Sequence, residues 1–431
     1  MTNIKIYKKD HINAEIETAP DKSITHRAIM LASISSGRSK INNYLKSKDC
    51  FSTINAFKEL GVKIFEMGNS LIIEGVGIEG LKQPDNIIDA GNSGTTVRLL
   101  SGIVAGNDIK VEIIGDESLS RRPMKRIIEP LTLMGAKIKA KEDNFLPLTI
   151  YGNSKLKPIV WESKIPSAQV KSCVLFAGMY ANGETIYKEP FLSRNHTENM
   201  LEYLKIPIVK KENIVSIKGR IKKIDPFEIT IPNDPSSSSY FIAMGILLPN
   251  SKLVLKNVCV NPTRIGFINT LIKMGAKINF VNTKLLYNEP VADIIVETSR
   301  LKSIKISSED IPSMIDEIPL LAVVATQCDG VTEIRGAHEL RVKESDRIRT
   351  ITTELQKLGA KIIEQEDGMI IMGNTKFMVD NSQITLNSYK DHRIAMSLAV
   401  AGCLCDAEVI IEDADCVDIS FPNFWQLYNS L

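Results

Sequence analysis

The chain has 431 residues, 53 of them lysine or arginine and 51 acidic, for a formal charge of +2. So even a balance carries no electrostatic footprint for nucleic acid or a membrane surface, and any positive site must be local. With 44% hydrophobic residues at this length, the chain can bury more than one core, and two or three domains are expected.

The start, MTNIKIYKKDH, is polar and lacks the apolar core of a signal peptide, and no uninterrupted apolar run approaches the length of a membrane span. The seven cysteines include no C-x-x-C pair, and Cys173, Cys259 and Cys328 sit among apolar neighbours. Buried, reduced thiols in a cytoplasmic protein are expected. The five histidines show no metal-ligand spacing, so no structural metal is expected.

From residue 22 onward two phrases alternate. The first consists of polar small residues, an apolar helix, a turn and a strand. It begins near residues 22, 93, 167, 236, 313 and 391, a period of roughly 70 residues. The second is a helix end, a turn and a short strand: FKELGVKIF (57–65), LTLMGAKIKA (131–140), LIKMGAKINF (271–280) and LQKLGAKIIE (355–364). Gly61, Gly135, Gly275 and Gly359 read as left-handed helix caps leading into Val/Ile strands. A fifth version, EYLKIPIVKK (202–211), carries Ile206 where the others carry glycine. Segments such as NSLIIEG, NIVSIKG and GMIIMG then read as the second strand of a hairpin.

Six such units account for almost the whole chain. Their first helices are apolar all round, as buried helices are, which predicts an α/β fold with a buried helix bundle and outer sheets. Six units exceed a single core, so two domains of three are expected: residues 21–232, and residues 1–20 with 233–431. ITIPNDPSSSS (229–239) reads as the linker, with a matching crossover near TAPDKS (18–23) and the active site in the cleft between the domains.

The polar starts of these helices carry the chemistry, because helix N-termini expose N–H groups and attract anions. The first has Lys22, Ser23 and Arg27; the second Asn92, Ser93, Gly94, Thr95 and Arg98; the third Ser167, Gln169 and Lys171; the last His392 and Arg393. Any one Ser, Thr or Asn reads as a plain cap, but a cation beside the cap on four helices points to a polyanionic ligand. The fifth helix differs, since SMIDEIPLL sets Asp316 and Glu317 just inside an apolar run. There Asp316 complements the helix dipole or acts as a general base.

RVKESDRIR (341–349) raises the sharpest question. If helical, it stacks Lys343 and Arg347 on one face, an arrangement that costs roughly 0.2–0.5 kcal/mol. Either Glu344–Arg347 and Asp346–Arg349 pairs compensate on a solvated surface, or the two cations converge on an external anion, with Glu344 a second candidate carboxylate.

Together, GNSGTTVRL (91–99), RRPM (121–124), SAQVKS (167–172), RVKESDR (341–347), DHRIAMS (391–397) and SFP (420–422) make the chain resemble the 5-enolpyruvylshikimate-3-phosphate (EPSP) synthases over essentially its full length. The resemblance implies two domains, each of three inverse βαβαββ units. It also implies transfer of the enolpyruvyl group of phosphoenolpyruvate to the 5-hydroxyl of shikimate 3-phosphate, with no metal or organic cofactor. The implied partners are those two small molecules, with no nucleic acid and no membrane, and the chain is expected to act as a monomer. By motif, Lys22, Ser23, Arg27, Ser167, Ala168, Gln169, Arg194, Asp316 and Lys343 fall on shikimate-3-phosphate positions. Lys22, Gly94, Arg122, Gln169, Arg347 and Arg393 fall on phosphoenolpyruvate positions. The resemblance makes Asp316 the base near the 5-hydroxyl and Glu344 the acid that protonates the methylene carbon, with Lys22 also at the catalytic centre. Ala168, Leu99, Glu339 and Ile419 depart from many members, which carry Ser, Pro, Asn and Lys there. The departures suggest a second sequence class in which Arg194 takes over phosphate binding from the C-terminal lysine. A sister enzyme acting on UDP-N-acetylglucosamine commonly has a reactive cysteine before its R-P pair, and GDESLSRRP (115–123) has none. A non-catalytic repeat scaffold would scatter its cations instead of gathering them at helix starts.

Overall fold

The computed structural model describes residues 2–379 and 381–431. The chain divides into two units. One comprises Pro20–Ile231 with Leu286–Glu289; the other comprises Met1–Ala19, Pro232–Leu285 and Pro290–Leu431.

The first unit is built from one supersecondary pattern used three times: an edge strand, a buried helix, a strand, a second helix and a hairpin. Its second copy shows the pattern whole. Strand Ile88–Asp89 precedes helix Gly94–Ala105, strand Lys110–Ile114, helix Lys125–Met134 and the hairpin Lys137–Lys141/Phe145–Tyr151. These four strands form one sheet, with the edge strand parallel to its neighbour and the remaining pairs antiparallel. Alternation does the sorting, since Val111 and Ile113 are buried while Lys110 is exposed. The first copy borrows its edge strand from far along the chain, for Glu228–Thr230 runs parallel to Ser36–Asn42.

The second unit repeats the scheme around helices Pro235–Leu247, Ile318–Thr326 and His392–Gly402. All nine residues of Ile318–Thr326 are buried, which matches an apolar sequence without a polar stripe. The N-terminal strands belong here, Asn13–Ile16 beside Lys252–Cys259 and Ile4–Ile6 beside Glu408–Glu412. The sixth copy is cut short. Its sheet has three strands, and a 3₁₀ segment Ala414–Ile419 and helix Phe424–Asn429 close it. No helix among the described residues is long and apolar enough to cross a membrane. All seven cysteines are buried, and none forms a disulfide.

Three local expectations are corrected. Ser236–Ser239 are not linker: Asp234 caps the helix that starts at Pro235, and the serines lie buried in its first turns. Four small hydroxyl residues suit this position because each can return a hydrogen bond to the backbone, as Ser239 does to the Pro235 carbonyl. Residues 341–349 are not one helix. A 3₁₀ segment ends at Val342, Lys343 is extended, and the helix begins at Arg347 with Asp346 as its cap. In the fifth helix–turn–strand phrase the left-handed residue is Lys205, at φ +59°, and not Ile206.

Lys205 therefore holds a conformation that a Cβ disfavours, whereas Gly61, Gly135, Gly275 and Gly359 meet the same need without strain. Lys205→Gly should stabilise the chain by about 0.5–1 kcal/mol, the relief of strain less the extra backbone entropy of glycine. An unchanged or lowered urea midpoint would contradict this.

Candidate active site

The first unit gathers its candidate residues at three neighbouring helix starts. Asp21 caps Lys22–Ser33, accepting the Ile24 N–H at 2.8 Å. Lys22 Nζ donates to Asp49 Oδ2 at 3.0 Å. Arg27 is buried, and its guanidinium is fixed on three sides. Nε donates to Thr197 Oγ1 at 2.6 Å, Nη2 to Ser172 Oγ at 2.8 Å and Nη1 to the Ser23 carbonyl at 2.9 Å. These partners fix the direction in which the guanidinium points.

The second and third helices approach almost backbone to backbone. A Cβ on Gly102 would lie 2.2 Å from the Cys173 carbonyl oxygen, so glycine alone allows this packing. One turn earlier on each helix, Arg98 Nη1 donates to Gln169 Oε1 at 2.7 Å, and Gln169 Nε2 donates to Thr95 Oγ1 at 3.0 Å. Arg98 Nη2 also reaches the Pro123 carbonyl at 3.2 Å, tying in the loop that carries Arg122. Arg122 Nη2 donates to Asn92 Oδ1 at 2.8 Å. Gly94 completes the set, because a Cβ there would come within 2.8 Å of Arg98 Nη1. Ser93 and Ser167 are caps, accepting the Thr96 and Val170 N–H groups. Ala168 opens the third helix, and Arg194 is half-buried in the loop before helix His196–Tyr203.

One cation leaves this group. Lys171 is 1% exposed and paired with Glu189 and Glu198, each at 2.7 Å. It is a structural cation and not a ligand for an external anion.

In the second unit, Arg347 is the hub. Its Nε and Nη2 donate to Asp391 Oδ2 and Oδ1 at 2.8 and 3.2 Å, Nη2 to Glu344 Oε2 at 2.7 Å and Nη1 to Asp316 Oδ1 at 3.2 Å. Burial opposes its charge, but Asp391 and Glu344 outweigh that and hold the guanidinium above its ordinary range. Both candidate carboxylates therefore sit on one cation. Asp346, expected to pair with Arg349, instead caps the Arg349 N–H and takes Arg341 Nη1 at 2.8 Å.

Asp316 lies in a 3₁₀ turn, Ile315–Glu317, that runs straight into helix Ile318–Thr326. Lys343 is half-buried, and desolvation lowers its ammonium against the pull of Asp316. Arg393 stands in the first turn of His392–Gly402, where Asp391 caps its N–H at 2.9 Å. Burial opposes its charge too, and Tyr240, Asp316 and Glu317 together keep it raised. Glu339 lies in the 3₁₀ segment His338–Val342, and Ile419 ends Ala414–Ile419.

Sequence reasoning missed the aspartates. Asp21, Asp234 and Asp391 each stand immediately before a helix start, a pattern visible as DK, DP and DH. Asp49, the partner of Lys22, carried no such signal, because 27 residues separate the pair.

The sequence model of the family described as EPSP synthase (3-phosphoshikimate 1-carboxyvinyltransferase) matches residues 6–427. A 3-phosphoshikimate 1-carboxyvinyltransferase of Endomicrobium trichonymphae is 48% identical over 431 residues, 99% of each chain. One from Thermoanaerobacter sp. (strain X514) is 48% identical over 430 residues, 100% of each. Among solved structures, an EPSP synthase from Acinetobacter baumannii superposes with a TM-score of 0.87 at 37% identity, covering 99% of this chain and 98% of that one. The enolpyruvyl transferase NikO from Streptomyces tendae shares the fold, with a TM-score of 0.80 at 15% identity over 99% of this chain and 96% of its own.

Asp391 serves a helix cap and a buried arginine at once, so Asp391→Ala should cost about 3–5 kcal/mol in urea unfolding, the range for breaking a buried charge pair. A loss below about 1 kcal/mol, the scale of a simple cap, would show that the guanidinium re-partners without it.

Proposed function

The chain belongs to the EPSP synthase family, and on that premise we propose that it transfers the enolpyruvyl group of phosphoenolpyruvate to the 5-hydroxyl of shikimate 3-phosphate, releasing phosphate. It is an enzyme, a 3-phosphoshikimate 1-carboxyvinyltransferase of the shikimate pathway. The observation that carries the reading to particular atoms is the Arg347 guanidinium, bonded at once to Asp316 and Glu344.

The reaction needs a base and an acid at different atoms. Asp316 takes the 5-hydroxyl proton as that oxygen attacks C2 of phosphoenolpyruvate, and Glu344 delivers a proton to the methylene carbon, C3. The product of this addition is a tetrahedral ketal that still carries the phosphate. In the elimination the C2–O bond to phosphate breaks, Glu344 recovers a proton from C3 to restore the double bond, and Asp316 passes the hydroxyl proton to the departing phosphate. Glu344 thus enters the addition as the carboxylic acid and Asp316 as the carboxylate, and the charge that moves between substrate and protein stays beside Arg347 throughout.

The remaining residues bind. Lys22, Ser23, Arg27, Ser167, Ala168, Gln169, Arg194 and Lys343 hold shikimate 3-phosphate, together with Asp316. Lys22, Gly94, Arg122, Gln169, Arg347 and Arg393 hold phosphoenolpyruvate. Arg27 and Arg122 support this assignment through hydroxyl, amide and carbonyl partners that fix the direction of each guanidinium. We take the two units as the family's two domains. We take the chain to act as a monomer, and its seven buried cysteines, none in a disulfide, suit the reducing cytoplasm.

The test is phosphate release from phosphoenolpyruvate with shikimate 3-phosphate, run beside UDP-N-acetylglucosamine. Turnover with only the first is expected, and turnover with only the second would replace this reading by the sister activity. Asp316→Asn and Glu344→Gln should each lower kcat by about a hundredfold or more, the lower range for acid–base groups. Near-normal turnover in either would show that its role is misassigned.

A further inference from the structure

Arg194 is not on a helix or strand, yet its backbone is more firmly held than its loop suggests. The preceding residue, Ser193, is 3% exposed, and both of its peptide groups have ionic partners. Its N–H donates to Glu189 Oε1 at 2.9 Å, and its carbonyl accepts from Lys171 Nζ at 3.2 Å. The Lys171 ammonium also meets Glu189 Oε1 and Glu198 Oε1, each at 2.7 Å, so its three N–H donors have three acceptors. Glu189 is itself anchored to the sheet, where its N–H donates to the Asn213 carbonyl at 3.1 Å. Two residues after Arg194 the loop is fixed again: His196 Nδ1 lies 2.8 Å from Glu289 Oε1, both buried.

The composition of this cluster needs a reason. One lysine faces two glutamates, all at most 6% exposed, and Glu189 Oε2 and Glu198 Oε2 are buried without a hydrogen-bond partner in the protein. A lone Lys171–Glu198 pair would have joined the two helices at a smaller desolvation cost. The second carboxylate adds a buried charge, and what it adds in return is an acceptor for the Ser193 N–H. Burial opposes the ammonium's charge, but the two carboxylates outweigh it and lift Lys171 above its ordinary range, so the ammonium keeps its charge.

We propose that Lys171, Glu189 and Glu198 are positioning residues for Arg194: a buried ionic clamp on the Ser193 peptide that presets the loop, so that Arg194 meets the phosphate of the sugar substrate without first being ordered. This rests on the functional reading above for the identity of the ligand, but the clamp itself does not. A preset arginine binds without the entropy cost of freezing a mobile loop, so the clamp acts on substrate affinity and not on the chemical step.

Removing Lys171 would strand two buried carboxylates and risk the fold, so the test uses Glu189. Glu189→Leu leaves a matched Lys171–Glu198 pair and deletes the one oxygen that Ser193 and Lys171 share; Glu189→Gln keeps an acceptor oxygen in place. In phosphate-release assays on the whole chain, Glu189→Leu should raise the KM for shikimate 3-phosphate by about tenfold, the scale of one charged hydrogen bond. Its kcat and its KM for phosphoenolpyruvate should stay within about threefold of the parent, since neither reports on Arg194. Glu189→Gln should restore the parental KM. In an Arg194→Leu background, Glu189→Leu should add little, because the two act through one contact. Full additivity there, or a joint loss in kcat and both KM values, would overturn the proposal. Hydrogen exchange of the 189–200 peptide without substrate reads the clamp directly. Faster exchange is expected in Glu189→Leu and not in Glu189→Gln, and identical exchange in both overturns it. A parent chain that releases no phosphate would sink the functional reading, while the exchange measurement would still decide the clamp.

Discussion

A guanidinium that cannot lose its charge is buried at Arg347, and three carboxylates from three separate chain segments close around it. Most of the chemistry proposed for this chain follows from that constraint. Asp391 takes the Nε side and is in turn fixed as a helix cap, which leaves the two terminal nitrogens to hold Asp316 and Glu344 apart. A base and an acid that must not exchange roles are thus kept on different nitrogens of one rigid, planar group.

The other unit handles its cations differently, and the contrast is informative. Arg27 and Arg122 are aimed by hydroxyls, amides and carbonyls, whereas Lys171 is surrounded by carboxylates. A lysine enclosed by two buried carboxylates has found its counterions, whereas a guanidinium held by hydroxyls and carbonyls is first of all aimed. Residue type alone does not separate the two cases. The identity of the partner does.

This is also where the sequence stopped being legible. The sixfold pattern could be read because it is local: an apolar helix, a glycine in the left-handed conformation and a Val/Ile strand lie within a few residues of one another. The caps at Ser93 and Ser167 were readable for the same reason. Lys171 was misread because Glu189 and Glu198 lie 18 and 27 residues downstream, and nothing at residue 171 announces them. The charge spacing of RVKESDR stacks Lys343 and Arg347 only if the whole stretch is helical. In the structure Asp346 stops that helix from extending backward, because its side chain already accepts the Arg349 N–H. Ser236–Ser239 looked like a flexible linker by composition, yet Pro235 at the first helical position and Asp234 before it were ordinary start signals. The motifs shared with the EPSP synthases supplied roles that spacing alone left open.

The borrowed edge strands have a consequence for how the chain is made. Ribosomes deliver the N-terminus first, but Ile4–Ile6 pairs with Glu408–Glu412, Asn13–Ile16 with Lys252–Cys259, and Ser36–Asn42 is flanked by Glu228–Thr230. The earliest strands therefore wait, with unpaired edges, for partners that lie far downstream in the chain. Such long-range closure slows assembly and lengthens the life of sticky intermediates. During synthesis, the part of this protein most exposed to aggregation is its oldest part.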